Sequence, residues 1–266
     1  MKSQIKRKIL CLFLLPVILL TACGQKQPVQ TEVENQPVQT SAEMTTEAAE
    51  PTAGSVQATT EPEVTAPEQL SAMLEANGLC LQDLEALGCR QLVTVDAEGT
   101  SAQIDLYVLV DYQWQRQETV SCSGYVGKNG TTAQKREGDK ATPKGLYPIA
   151  EAFYIAEAPQ TGLPVFQITA DTYWVDDPES EFYNQRVEGT ENKDWTSAEQ
   201  MYRYSTSYEY GFVIGYNTEG TPDAGSAIFF HVGDHPTAGC IATGRAFVLE
   251  YLALLREEPE PYILID

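Results

Sequence analysis

From Gln91 to its C-terminus the chain is built from short apolar runs, each bounded by Gly, Pro, Asp or Asn. Leu92–Val95, Ile104–Val110, Val120–Gly127, Gly145–Ala150, Phe166–Thr169, Thr172–Val175, Gly211–Tyr216, Ala227–His231 and Tyr262–Ile265 are too short for packed helices and are punctuated by turn residues. Strands in this number must cover one another's apolar faces, so the pattern predicts a mainly β fold, a β-sandwich or curved sheet, without parallel βαβ alternation. One late segment, Arg245–Arg256, reads as an amphipathic helix. Ahead of the strands, Glu68–Cys89 carries Leu70, Met73, Leu74, Leu81, Leu84 and Leu87 at helical spacing, interrupted by Asn77-Gly78, a helix-stopping pair.

The first residues set an expectation for compartment. Lys2, Lys6, Arg7 and Lys8 precede an apolar run, Ile9–Leu20, that is short for a membrane-spanning helix. Leu20-Thr21-Ala22-Cys23 follows and is similar to the lipobox of bacterial lipoproteins. That similarity implies cleavage before Cys23, lipidation of its sulfur and an extracytoplasmic protein held to a bacterial membrane by its acyl chains. Residues 25–67 are rich in Thr, Glu, Pro, Ala and Gln and poor in aromatics, a composition expected to form a disordered tether. The formal net charge of −21 argues against nucleic acid as a partner and against electrostatic adhesion to anionic lipid.

The chain has six cysteines and only two histidines, and both histidines lie just upstream of Cys240. A thiolate is the nucleophile of cysteine chemistry and imidazole its usual base, so Cys240 is the candidate nucleophile with His231 or His235 as base. His231 ends an expected strand, Ser226–Val232, whereas His235 precedes a proline in a turn-rich loop, Gly233–Gly239; the strand position holds its geometry better and is favoured. A backbone carbonyl near Val232 or Gly233 would fix the imidazole tautomer. Gly239 and Cys240 offer adjacent backbone N–H groups for a developing oxyanion. A zinc reading of His231, Asp234 and His235 is set aside, because Gly233 and Pro236 spoil the helix that a His-x-x-x-His pair needs and no Glu follows His231. The acidic run Asp176, Asp177, Glu179, Glu181 lacks the EF-hand spacing and reads as a solvated loop, so neither metal nor cofactor is expected. Of the other cysteines, Cys11 lies in the signal segment, while Cys80, Cys89 and Cys122 either include a Cys80–Cys89 disulfide or remain three buried thiols.

The segment from His231 to Cys240, with Thr237-Ala-Gly-Cys240 at its end, resembles the active-site signature of the L,D-transpeptidases of the YkuD/ErfK type. The resemblance extends upstream to Gly127-Lys-Asn-Gly130 and Lys135-Arg136-Glu137-Gly138-Asp139-Lys-Ala-Thr142-Pro143-Lys-Gly145. It also takes in Trp174-Val-Asp-Asp-Pro178, Tyr183-Asn184 and Asp194-Trp195-Thr-Ser-Ala-Glu199, so that it spans Val120 to Asp266. The family usually carries a second histidine directly before Gly-Cys and an arginine two residues after the cysteine; Ala238 and Ala242 stand there in this chain. The resemblance implies a β-sandwich catalytic domain and acyl transfer on peptidoglycan stem peptides to form 3–3 crosslinks. Cys240 would be the nucleophile, His231 the base and then acid, and carbapenem-type compounds covalent inhibitors. Hydrolysis of the same acyl-enzyme, an L,D-carboxypeptidase activity, and a non-catalytic wall-binding lipoprotein are the alternatives. Thr237, Arg136, Asp139 and Trp195 are the expected cleft residues, although Trp174 and Trp195 also suit simple packing. The organisation expected is a signal peptide over 1–22, a lipidated cysteine and tether over 23–67, a helical lead-in over 68–100 and a catalytic domain over 101–266.

Overall fold

The computed structural model describes residues 63–266; the expected signal peptide, the lipidation site Cys23 and nearly all of the expected tether lie outside them. Two short helices, α1 (Glu68–Ala76) and α2 (Leu81–Ala86), come first. Each stops at a glycine in the left-handed region, Gly78 (φ 70°) and Gly88 (φ 68°). The following N–H groups reach back to Leu74 O and Leu84 O at 2.8 and 2.9 Å, which closes both C-termini. The helices present Leu70, Leu74 and Leu84, all buried, to a cluster with Leu92, Tyr107, Trp114 and Leu264.

Fifteen strands follow: β1 (Gln91–Glu98), β2 (Ser101–Val110), β3 (Gln113–Arg116), β4 (Cys122–Tyr125), β5 (Thr131–Thr132), β6 (Thr142–Pro143), β7 (Gly145–Tyr154), β8 (Val165–Gln167), β9 (Thr172–Val175), β10 (Arg186–Glu188), β11 (Ala198–Gln200), β12 (Tyr210–Ile214), β13 (Phe229–Val232), β14 (Ile241–Thr243) and β15 (Tyr262–Ile265). The third helix, α3 (Arg245–Leu254), lies between the last two. The fold is mainly β, as the sequence pattern predicts. The main sheet runs β1-β15-β7-β12-β13-β14-β4-β2, and β2 pairs again with β1, so its hydrogen-bonded path closes on itself. Closure leaves those strands without open edges.

Alternation along the strands divides the apolar residues between two sides. Val93, Val95, Ile104, Leu106, Ile149, Phe212, Phe230, Ile241, Ile263 and Ile265 form the central core. Val248, Tyr251, Leu252 and Leu255 from α3 and the residue after it join that cluster. On the other side of β7, β12 and β13, Phe153, Val213 and Phe229 meet Trp174 and Met201. This second layer includes a small sheet of order β10-β9-β11. Trp174 packs edge-on to Phe229 at 4.9 Å and donates its indole N–H to Asn184 Oδ1 at 2.9 Å, the packing role expected for it.

Two expectations are corrected, and one feature of the sheet is new. The folded unit expected over 101–266 does not begin at residue 101, because β1 pairs along its whole length with β2 and in parallel with β15, and buries Val93 and Val95 in the central core. Nor does the tether run to Pro67: Thr65 donates to Tyr112 O and accepts from Trp114 N–H, both at 2.9 Å, so this polar stretch ends as a pairing partner for the outer edge of β3. Four neighbouring strand pairs, β1–β15, β13–β14, β7–β8 and β5–β6, are parallel. The β13–β14 pair is joined by a short loop instead of a helical crossover, which the sequence pattern did not anticipate.

Candidate active site

The loop between β13 and β14, residues 233–240, carries the candidate nucleophile. It is not adrift: Thr237 N–H donates to Val126 O (3.0 Å) and Lys128 N–H to Thr237 O (2.9 Å), so the loop is hydrogen-bonded to the chain leaving β4. Within it, the Thr237 hydroxyl donates to Cys240 O (2.6 Å) and accepts the Gly239 N–H (3.0 Å). Thr142, fully buried, donates a second hydroxyl to Cys240 O at 3.3 Å and accepts the Gly127 N–H at 2.8 Å. Two threonines far apart in sequence thus fix one carbonyl, that of the candidate nucleophile. Gly239 sits at φ 150°, where an added Cβ would lie 3.2 Å from Ala141 O and 3.3 Å from Ile228 Cδ1. Side chains rarely adopt that backbone conformation, so the position requires glycine.

His231 and Cys240 line one cavity of about 430 Å³. His231 is held by β13 between Gly211 of β12 and Ala242 of β14. Its Nδ1 lies 2.8 Å from Val232 O; with the proton on Nδ1, this carbonyl is the acceptor and Nε2 is the free base. The carbonyl expected to orient the ring is therefore present. The Tyr208 ring meets the imidazole edge-on at 5.4 Å. Burial lowers the His231 pKa to about 4, only partly opposed by the Val232 carbonyl, so the ring is neutral and able to accept a proton at neutral pH.

Cys240 is 7% exposed; its thiol donates to Ala227 O at 3.2 Å and accepts the Phe229 N–H at 3.4 Å. Burial, and then the Glu199 carboxylate, push the thiol up to about 12, while the Phe229 N–H and Lys135 pull the other way. The resting pair is thus a neutral imidazole and a protonated thiol, not a preformed ion pair. For Cys240 to act as a nucleophile, proton transfer would have to accompany attack or follow a change in the cavity.

The other expected site residues separate. Thr237 is beside the nucleophile, as a strut. The Gly239 N–H, expected as an oxyanion donor, is already bonded to Thr237 Oγ1, which leaves the Cys240 N–H as the donor of that pair without a protein acceptor among the described residues. Arg136 is exposed and lines a shallow neighbouring depression with Pro222 and Asp223, away from Cys240. Asp139 organises the β5–β6 turn, accepting the Arg136 and Ala141 N–H groups and the Lys135 ammonium at 2.8, 2.9 and 2.7 Å. Trp195 packs against Phe182 at 5.8 Å and does not line the cavity. His235, largely exposed beside Asp234, stands at its rim.

Lys135, Glu137, Asp176 and Glu199 enter the sequence reading only as members of the motif segments, and Tyr208 not at all; all five line the cavity. The acidic run was expected to be solvated. Instead Asp177 is buried and accepts the Glu179 N–H and the Thr196 N–H and hydroxyl, while Asp176 turns to the cavity. Among the described residues no group of three or more His, Cys, Asp or Glu side chains is placed to hold a metal ion. Cys80, Cys89 and Cys122 are free thiols; Cys80 is exposed, contrary to the buried reading, because it starts α2 with its N–H and thiol on Asp83 Oδ2. Ala238 and Ala242, the two positions at which the chain departs from the transpeptidase pattern, both line the cavity. No family model, no curated protein and no solved structure matches the chain.

Proposed function

We propose that the protein is a cysteine acyltransferase of the L,D-transpeptidase kind, acting on peptidoglycan stem peptides from a lipid-anchored position outside a bacterial membrane. The observation that carries the reading is the pairing in one cavity of the chain's most upstream histidine with Cys240, the imidazole being fixed by Val232 O with Nε2 free. In this mechanism the Cys240 thiol turns from Ala227 O and gives its proton to His231 Nε2 as sulfur attacks the carbonyl between the third residue and the terminal D-residue of a tetrapeptide stem. The Cys240 N–H then stabilises the oxyanion. The imidazolium then protonates the leaving D-amino acid, and an amine from a second stem, deprotonated by His231, takes the acyl group and frees the thiol.

The test is mass spectrometry of the full chain incubated with a tetrapeptide stem and, separately, with a carbapenem. A covalent adduct on Cys240 is expected in the native protein and in neither Cys240→Ala nor His231→Ala, with both variants retaining the native circular dichroism spectrum. A crosslinked dimer as product supports transfer, a released tripeptide alone supports the carboxypeptidase, and the absence of any adduct refutes the enzyme reading.

A further inference from the structure

Lys135 is a buried cation that the proposed mechanism leaves unused. Three lysines line the cavity of Cys240; Lys128 and Lys140 are exposed, whereas the Lys135 side chain, from the β5–β6 loop, is only 4% exposed. It lies in a passage between two glycines. A Cβ added at Gly225 (φ 98°) would stand 2.8 Å from Lys135 Cγ and 3.3 Å from its Nζ, and one added at Gly239 would stand 3.8 Å from its Cε. These glycines belong to the two segments that hold the nucleophile. Gly239 directly precedes Cys240, and two residues after Gly225 comes Ala227, whose carbonyl accepts the Cys240 thiol at 3.2 Å. The lysine stem therefore runs along the backbone that frames the thiol.

Packing does not account for a charge in that passage. An apolar side chain of similar length would fill it without the cost of taking an ammonium out of water. Nor does the loop depend on the ammonium for its shape. Asp139 already accepts the Arg136 and Ala141 N–H groups at 2.8 and 2.9 Å. Glu137 ties the loop to the chain ahead of β13, accepting the Ser226 hydroxyl at 2.8 Å and donating its N–H to Asp223 O at 2.9 Å. A cation counts most where negative charge develops in a site closed to water, and in this cavity that place is the Cys240 sulfur.

We infer that Lys135 is a positioning residue for the nucleophile: its buried ammonium keeps a positive charge beside the Gly239–Cys240 backbone and stabilises the Cys240 thiolate as it forms. The inference rests on the acyl-transfer reading of the cavity. The thiol proton passes to His231 Nε2 as in the proposed mechanism, the electron pair stays on sulfur, and the lysine keeps its own proton. Asp139, which holds the ammonium at 2.7 Å, also offsets part of its charge. Of that pair only the lysine bears on the thiol. The other titratable groups lining the cavity are His231 of β13, Tyr208 ahead of β12, Glu199 of β11, Asp176 after β9 and Glu137. The exposed Tyr204, Lys128, Lys140 and His235 complete the lining.

The experiment is a double-mutant cycle on the full chain, read by the rate of iodoacetamide labelling of Cys240 in peptide mass spectrometry at about pH 8 to 10, where the thiolate is the reacting form. His231 is neutral and Glu199 charged throughout that range. Lys135→Met keeps the stem and removes the charge, and is expected to slow labelling about tenfold, the effect of one unit in the thiol. Loosening of the loop would act the other way, by exposing the sulfur. Asp139→Asn is expected to speed labelling about threefold with Lys135 present and to leave it unchanged in the Lys135→Met background. Lys135→Gln is a second neutral variant, and each variant is checked by circular dichroism. Labelling at the native rate or faster in the neutral variants overturns the inference, and so does an equal acceleration by Asp139→Asn in both backgrounds. Loss of the fold in both neutral variants makes the lysine a structural tie and overturns it as well. No stem peptide enters this assay, so the two readings fail separately. Slowed labelling without any stem-derived adduct on Cys240 keeps the counter-charge and removes the acyltransferase, whereas an adduct with unslowed labelling does the reverse.

Discussion

Thr237→Val tests whether one hydroxyl holds the nucleophile's loop. Valine keeps the β-branched shape, so no cavity opens and the change is confined to the hydrogen bonds at 2.6 and 3.0 Å from Oγ1 to Cys240 O and from the Gly239 N–H. The two losses are unequal. Cys240 O retains the Thr142 hydroxyl at 3.3 Å, so that side forfeits about one net hydrogen bond, roughly 1 kcal/mol. The Gly239 N–H is left in a buried site with its partner removed, a penalty of about 1–3 kcal/mol. The methyl that replaces the hydroxyl gains by burial, about 0.8 kcal/mol, which offsets part of this. The expected net loss is about 2 kcal/mol in urea unfolding of the full chain. Thr237→Ser, which restores the hydroxyl, recovers most of it, and adduct formation with a carbapenem falls in the valine variant more than in the serine one. A valine variant within 0.5 kcal/mol of the native protein, on the order of the scatter between neutral surface changes, would refute the strut.

Further outcomes concern pH, backbone and thiols. Glu199 binds its proton more tightly in the folded protein, with a pKa raised from 4.5 to about 7, chiefly by burial. Its favourable contribution is therefore complete below the unfolded value and lost as pH rises through about 7, a change on the order of 3 kcal/mol at most. Urea titrations at several pH values are expected to show that decline in the native protein and its absence in Glu199→Gln. His231 acts in the opposite sense: its folded pKa, lowered from 6.5 to about 4, gives stability that is present above 6.5 and lost as pH falls toward 4, and His231→Gln removes this acid arm. Gly239→Ala forces a side chain into φ 150° against Ala141 O and is expected to cost about 1–3 kcal/mol, read as a lowered unfolding midpoint. A disulfide reagent applied to the native protein should modify Cys80 rapidly and Cys89 and Cys122 only after unfolding, and reductant should leave the melting temperature unchanged.

That His231 and Cys240 line one cavity was legible because both signals are local. A strand's period of two puts Phe229 and His231 on one face and Phe230 on the other, and the glycine before Cys240 marks a backbone that only a specific loop can use. Thr142 was visible as part of a turn but not as a donor to Cys240 O, since nothing in a sequence separation of 98 residues announces a hydrogen bond. The charged residues were read least well, for a physical reason. Arg136 and Asp139, expected in the cleft, do not line it, whereas Asp176, read as part of a solvated loop, and Glu199 do. Which of them is buried depends on where the small β10-β9-β11 sheet lies over β7, β12 and β13, and three-residue strands such as β10 and β11 have too little periodicity to declare themselves. Closure of the main sheet was hidden likewise, because it rests on the pairing of β1 with β15 from opposite ends of the folded part.

That closure bears on the chemistry. His231 belongs to a strand flanked on both sides, by β12 and β14, and the ring contacts of Tyr208 with Phe153, Phe229 and His231 lie over the same strands. The candidate base is therefore held between two paired strands, and any adjustment falls to the thiol and the cavity contents. A strand-held neutral imidazole and a thiol pushed to about 12 line one cavity, and their resting pKa values give no driving force for proton transfer between them. Of the causes acting on the thiol, burial comes first and is fixed by the fold, so relief of the thiol requires a change in what fills the cavity rather than in the strands that frame it.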